Sequence, residues 1–251
     1  MTALRFSTVS ITHPGLVRAA NEDSFLSRED AGAWLVADGM GGHANGQWAS
    51  ATVVGAVGAA PLTSDFDTDV HTLTGAIQQA NTHIFAASQQ HGARMGSTAV
   101  ALYMAGDRFA CIWAGDSRIY LLRERRLYRL TRDHTQVEEL LERGLLTPQE
   151  AAHHPMSHVL SRAVGVEEVL NLDAIADTAL PRDIFLLCSD GLSGVLSEAE
   201  IEERLANFPA QTACQRLLDL VLSRGAPDNV TFIAVTCEEK TTLTFASAPT
   251  F

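Results

Sequence analysis

The chain is 251 residues long and 46% hydrophobic, which excludes a disordered chain and leaves room for one large domain with a sizeable core. Its 30 acidic against 18 basic residues give a formal charge of −12 without any basic stripe, which excludes a nucleic-acid-binding surface. No apolar run approaches the length that crosses a membrane, no basic start with an apolar block opens the chain, and four cysteines without a C-x-x-C pair fit a reducing compartment, so a cytoplasmic protein without membrane insertion is expected.

In chain order, residues 4–12 alternate as a strand does, and 33–37 (AWLVA) form a short buried strand that runs into Asp38. Residues 44–60 are small and apolar at helical spacing. PLTSDFDTD interrupts them, and a second helix is expected over 68–90. From Gly96, GSTAVALYM, RFACIWAG, SRIYLLRE and RLYRL read as an antiparallel meander of strands and tight turns, with RERR (123–126) a solvated hairpin turn. The character changes at Thr131: two short helices are expected in a mobile insertion. Residues 183–188 (DIFLLC) are a buried strand ending in Ser189-Asp190-Gly191. SEAEIEERLANF has a Ser N-cap with acids in its first turn; residues 211–223 are a further helix, and PDNVTFIAVTCEE a last strand. Strands in runs and helices in pairs argue against a doubly wound parallel sheet and for stacked antiparallel sheets with helices outside.

Asp38 follows LVA and precedes Gly39. Asp190 follows LLCS and precedes Gly191, Asp228 leads into VTFIAV, and Asp116 lies between two strands. A turn explains any one of these. Four at the edges of strongly apolar strands are harder to dismiss: if those strands are neighbours the carboxylates converge, and they repel unless cations neutralise them. Oxygen ligands of this kind select Mg2+ or Mn2+, and one shared aspartate can bridge two ions ~4 Å apart. Upstream, LVRAANEDSF (16–25) offers Arg18, a bidentate clamp for phosphate, and the carboxylates of Glu22 and Asp23; the alternative there is a polar loop leading into a strand.

R-x-x-N-E-D at Arg18–Asp23, V-A-D-G-M-G-G at Val36–Gly42, G-S-T at Gly96–Thr98, G-D-S-R at Gly115–Arg118, S-D-G-L at Ser189–Leu192 and D-N-V-T at Asp228–Thr231 occur in this order. The set resembles the metal-dependent serine/threonine protein phosphatases of the 2C type in their compact bacterial form, over about residues 6–237. The resemblance implies an α+β fold, a four-layer α/β/β/α sandwich of two antiparallel sheets flanked by paired helices. The catalytic domain would cover 4–238, with a flap at 131–170, and a loose tail 239–251. It implies two tightly bound Mn2+ or Mg2+ ions and room for a third. Asp38 would bridge the pair, with the Gly39 carbonyl on one ion and Asp190 and Asp228 on the other, and Asp116 with Asp190 on the third. Arg18 would bind the substrate phosphate. Glu22 would act through bound water, and Asp23 and Asn229 would orient the ligands. The substrates would be phosphorylated proteins, the products of a cognate serine/threonine kinase, and the chain a monomer.

Chemistry of this kind runs by attack of a metal-bound hydroxide on phosphorus. Where many relatives carry a histidine after the Asp-Gly pair, as a proton donor to the leaving oxygen, this chain has Met40. His43 is read as shaping the loop, and His153, His154 and His158 as a surface cluster of the flap. A cysteine-dependent mechanism fails, because Cys111 and Arg118 have six residues between them rather than five. No G-x-S-x-G elbow, P-loop or H-E-x-x-H occurs, and Ser97 and Thr98 read as packing at a strand start. The rival reading is a phosphatase fold used as a binding or regulatory module in a kinase signalling complex. Such a module would be expected to lose metal carboxylates, and Asp38, Asp190 and Asp228 are all present.

Overall fold

The computed structural model describes residues 4–42, 44–151, 154–156 and 159–239; the expectations for His43, His153, His158 and residues 240–251 lie outside these. Two antiparallel sheets carry the fold. One has the order β1 (Leu4–His13), β11 (Val230–Glu239), β10 (Ile184–Cys188), β7 (Arg118–Arg123), β8 (Arg126–Arg129). The other runs β2 (Asp23–Arg28), β3 (Ala33–Met40), β5 (Ala99–Ala105), β6 (Arg108–Ala114), β9 (Asp173–Thr178), with β4 (Gly96–Ser97) also paired to β3.

Strand alternation sorts the core into three layers. Trp34, Val36, Val100, Leu102, Phe109 and Cys111 meet Ile119, Phe185, Leu187, Ile233 and Val235 between the sheets. The opposite faces of β3, β5 and β6 pack on α1 (Ala44–Gly58) and α2 (Phe66–His91). The opposite faces of β7, β10 and β11 pack on α5 (Asp190–Ser193), α6 (Glu198–Asn207) and α7 (Ala210–Ser223). This is the expected helix–sheet–sheet–helix sandwich. The capping residues sit where the sequence put them: Ser197 and Glu200 form a reciprocal capping box at α6. All four cysteines are buried and unpaired.

Three boundaries differ from the sequence reading. β3 does not stop before Asp38 but runs on to Met40, because Gly39 and Met40 pair with Ser97 and Gly96. The register is continuous with the Val36–Val100 pair; at its one break the Thr98 hydroxyl, not its carbonyl, accepts the Asp38 N–H at 2.9 Å. Asp190 does not end a strand but opens the one-turn α5. The polar stretch before Phe25 is partly strand, since Asp23 begins β2, and β9 was not expected at all. Both are edge strands, and the largely exposed sequence of β9, with an aspartate near each end, shows no alternation to read.

The insertion after β8 holds α3 (Gln136–Glu142) and α4 (Pro148–Ala151). Its two ends are tied together, with Gln136 donating to Val159 O at 2.9 Å and Ser161 to His134 O at 2.8 Å. A bridge from Ser97 to Val164 fastens the returning segment to the sheet edge beside β3.

Candidate active site

The carboxylates gather at one end of the sandwich because four chain reversals meet there. Asp38 on β3 stands directly opposite Asp23 on β2. Asp190 follows β10, Asp228 precedes β11, and Asp116 sits in the turn between β6 and β7. A cleft of about 860 Å³ has Arg18, Glu22, Asp38, Gly39, Asp116, Asp190, Asp228 and Asn229 in its lining. Asp23 lies behind this floor, 7% exposed. Its Oδ2 accepts the Ser189 hydroxyl at 2.9 Å, and that hydroxyl also accepts the Thr231 N–H at 3.0 Å.

The glycines explain how backbone enters this space. A side chain at Gly39 would meet the Gly46 carbonyl at 2.1 Å and the Glu22 carbonyl at 2.6 Å. A Cβ at Gly46 would stand 1.9 Å from Glu22 Oε2 and 2.8 Å from Gly39 O. The first turn of α1 is therefore pressed against both the Glu22 side chain and the Gly39 carbonyl. Gly46 belongs to the site although its place in a helix gave no sequence signal for it.

Arg18 projects from the loop between β1 and β2, and its Nη2 meets Asp228 Oδ2 at 2.6 Å. Asn229 clasps that loop. Its Nδ2 donates to Pro14 O and Ala20 O, each at 2.9 Å, and its Oδ1 accepts the Glu22 N–H at 2.8 Å. The residue expected to hold phosphate and the one expected to act through bound water are thus set by adjacent positions of one strand start.

The charge of this cluster is costly. Withdrawal from water, then the neighbouring Asp23, Asp190, Asp116 and Asp228, push the Asp38 carboxyl well above the usual carboxylate range. Burial pushes Asp23 up to about 7 against the hydrogen bonds of Thr231 and Ser189, with Asp190 and Asp228 adding to the rise. Asp116 rises to about 7 through burial and the charges of Asp190 and Asp133. As the side chains stand, no three His, Cys, Asp or Glu groups among the described residues enclose an ion; Arg18 lies on Asp228 instead. The donor set nonetheless fits divalent cations. It is built of oxygen, burial and neighbouring carboxylates raise the pKa of Asp38 and Asp116 for want of positive charge, and Asp23 Oδ1 is buried without a hydrogen-bond partner among the described residues.

Met40 lines the cleft and offers no proton. Ser97 and Thr98 are buried structural hydroxyls, Thr98 Oγ1 lying 2.7 Å from Ser117 Oγ. His134 was not singled out by the sequence. It is buried and stacked on Trp113 at 6.2 Å between ring centroids. Its Nδ1 accepts the Gly115 N–H at 3.2 Å, and its Nε2 lies 3.1 Å from Asp173 Oδ2. Burial lowers its pKa, so the neutral ring carries its proton on Nε2 and braces the turn that bears Asp116.

Comparison with known proteins agrees with this geometry. The family model "Protein phosphatase 2C" matches residues 11–143. The chain is 39% identical to the serine/threonine protein phosphatase PstP of Mycobacterium tuberculosis, over 87% of this chain and 42% of that protein, so it spans less than half the length of that relative. It is 35% identical to the serine/threonine phosphatase stp of Listeria monocytogenes, over 89% of this chain and 93% of that one. Among solved structures it resembles PppA, described as a key regulatory component of T6SS in Pseudomonas aeruginosa, with a TM-score of 0.88 and 39% identity over 94% and 100% of the two chains. The catalytic domain of PstP, solved in complex with two manganese ions, superposes with a TM-score of 0.84 and 34% identity, again over 94% and 100%. The chain belongs to the protein phosphatase 2C family.

Proposed function

We propose that this chain hydrolyses phosphoserine and phosphothreonine on proteins. One observation carries the reading: a single cleft gathers Glu22, Asp38, Asp116, Asp190 and Asp228 beside Arg18 at the strand ends. Asp38 and the Gly39 carbonyl, with Asp190 and Asp228, would hold two divalent ions, and Asp116 with Asp190 a third. When bound, such ions acidify water to a nucleophile and neutralise phosphate charge.

The chain's own groups do the rest. Arg18 offers two parallel N–H groups to the phosphate oxygens and fixes the phosphorus in line for attack. Glu22 is held at its backbone by Asn229 and at its side chain by the wall of Gly46, and so keeps water in register beside Asp38. Asp23, fixed by Ser189, orients the floor from behind. The leaving oxygen takes its proton from water, because Met40 has none to give. Residues 4–238 act as one catalytic domain, with 131–170 as the flap that borders the cleft. The substrates are products of a serine/threonine kinase, and the protein works as a monomer. A cytoplasmic location agrees with the four unpaired, buried cysteines; no helix of the described residues is long and apolar enough to cross a membrane.

The test is phosphate release from a phosphothreonine peptide by the purified chain, with Mn2+ and with EDTA. Release that needs Mn2+ is expected. Release unaffected by exhaustive chelation, or none under either condition from a folded chain, overturns the reading.

A further inference from the structure

The cleft has a second wall, and it carries cations that the reaction as described does not use. Besides the carboxylates the lining includes Arg94, Met95 and the returning flap segment with Arg162, Val166 and Glu167. Two backbone hydrogen bonds join its halves, Ser97 N to Val164 O at 2.9 Å and Val164 N to Ser97 O at 2.8 Å. Arg94 is also locked to the metal side. Gly41 has φ +124°, and a Cβ there would lie 2.5 Å from Arg94 O, so the Arg94 backbone rests on the glycine loop that follows Asp38. Arg162 is fixed too, with Nη1 2.9 Å from Asp173 Oδ1.

The three cleft arginines are not equivalent. Arg18 is paired with Asp228 and Arg162 with Asp173. Arg94 is exposed, and no ion pair or hydrogen bond of its guanidinium occurs among the described residues. In a chain with a formal charge of −12 and 18 basic residues, an uncompensated arginine on the wall of a substrate cleft stands out. Glu167 lines the same wall without pairing with it within 4 Å among the described residues.

We propose that Arg94 is a specificity-determining residue: it takes an anionic side chain of the substrate, carboxylate or phosphate, that flanks the phosphoresidue being hydrolysed, with Arg162 as the fixed second cation of that wall. Glu167 opposes this binding and sets how weak it is. The inference rests on the phosphatase reading of the cleft. A guanidinium presents paired N–H donors to either kind of anion, and because the site is open to water its effect is modest.

The test compares three phosphothreonine peptides, identical except for a glutamine, a glutamate or a phosphoserine held as its non-hydrolysable phosphonate beside the phosphothreonine, with p-nitrophenyl phosphate as a substrate that cannot reach the wall. The variants are Arg94→Gln and Glu167→Gln. For the wild type, KM is expected to fall in the order glutamine, glutamate, phosphoserine. Arg94→Gln raises KM about fivefold for the two anionic peptides, leaves kcat and the glutamine peptide unchanged, and leaves p-nitrophenyl phosphate hydrolysis intact. Glu167→Gln lowers KM for the same two peptides, an opposite sign that a merely structural role does not produce. A gain for phosphoserine alone restricts the ligand to phosphate. Equal KM values across the peptides, or an Arg94→Gln effect of the same size on all three, overturn the inference while p-nitrophenyl phosphate turnover leaves the phosphatase reading standing. Absence of turnover on every substrate removes both.

Discussion

Replacing Asp23 by asparagine should stabilise the metal-stripped protein. The carboxyl is 7% exposed and its pKa rises to about 7 from the ordinary 3.8, through burial and the charges of Asp190 and Asp228. Between those two values the folded chain binds more protons than the unfolded one, so stability falls as pH rises through that window and the penalty is complete above it. Three units correspond to about 4 kcal/mol as an upper limit. The other carboxylates remain and the Ser189 hydrogen bond survives on the asparagine oxygen, so a gain of about 2 kcal/mol is the expectation, or a Tm higher by about 4–8 °C in a domain of this size. The assay is thermal unfolding by circular dichroism in EDTA at pH 8 and near pH 4. At the lower pH the folded carboxyl is protonated and the unfolded one about half so, and most of the difference should disappear. Saturating Mn2+ should narrow it at pH 8 as well, since cations discharge the cluster and the wild type gains more from them. An Asp23→Asn protein less stable than wild type in EDTA at pH 8 would refute the reasoning and make the carboxylate a structural acceptor.

Gly46→Ala should keep the circular dichroism spectrum but weaken Mn2+ binding by roughly tenfold or more, because the new methyl displaces Glu22 and crowds the Gly39 carbonyl; unchanged affinity by calorimetry would remove Gly46 from the site. Asn229→Ala frees both ends of the Arg18 loop and should raise KM for a phosphopeptide by about an order of magnitude, with less change in Mn2+ affinity; equal losses in both would point to a general collapse of the strand start. Arg18→Ala should lose phosphate inhibition yet bind Mn2+ up to about fivefold more tightly, since it removes a half-exposed guanidinium that competes for Asp228. Weaker Mn2+ binding in that variant would show that the arginine does not compete.

The sandwich was legible because its signals are local. Alternation in β1, unbroken apolar runs in β3 and β10 and helical spacing in α1 act over a few residues, and each agrees with the layer it enters. The aspartates were legible for the same reason: each follows or precedes a strongly apolar strand, and the ordered motifs assign them a common end. What escaped depends on contacts across the chain. Gly46 matters only because Glu22 and Gly39 arrive beside it. His134 matters because Gly115 and Asp173 converge on it. β9 has no buried residue and is a strand because β6 offers it an edge. The pairing of Arg18 with Asp228 joins positions 210 residues apart, and no spacing rule reaches that far.

The central claim is that the carboxylates around Asp38 are a divalent-cation site. Calorimetric titration of the metal-free protein with Mn2+ at pH 7.5, wild type beside Asp38→Asn, tests it most directly. The account predicts at least two bound ions for the wild type and loss of the tight binding in the variant, with the fold retained. Equal affinity and stoichiometry in the two proteins would contradict it.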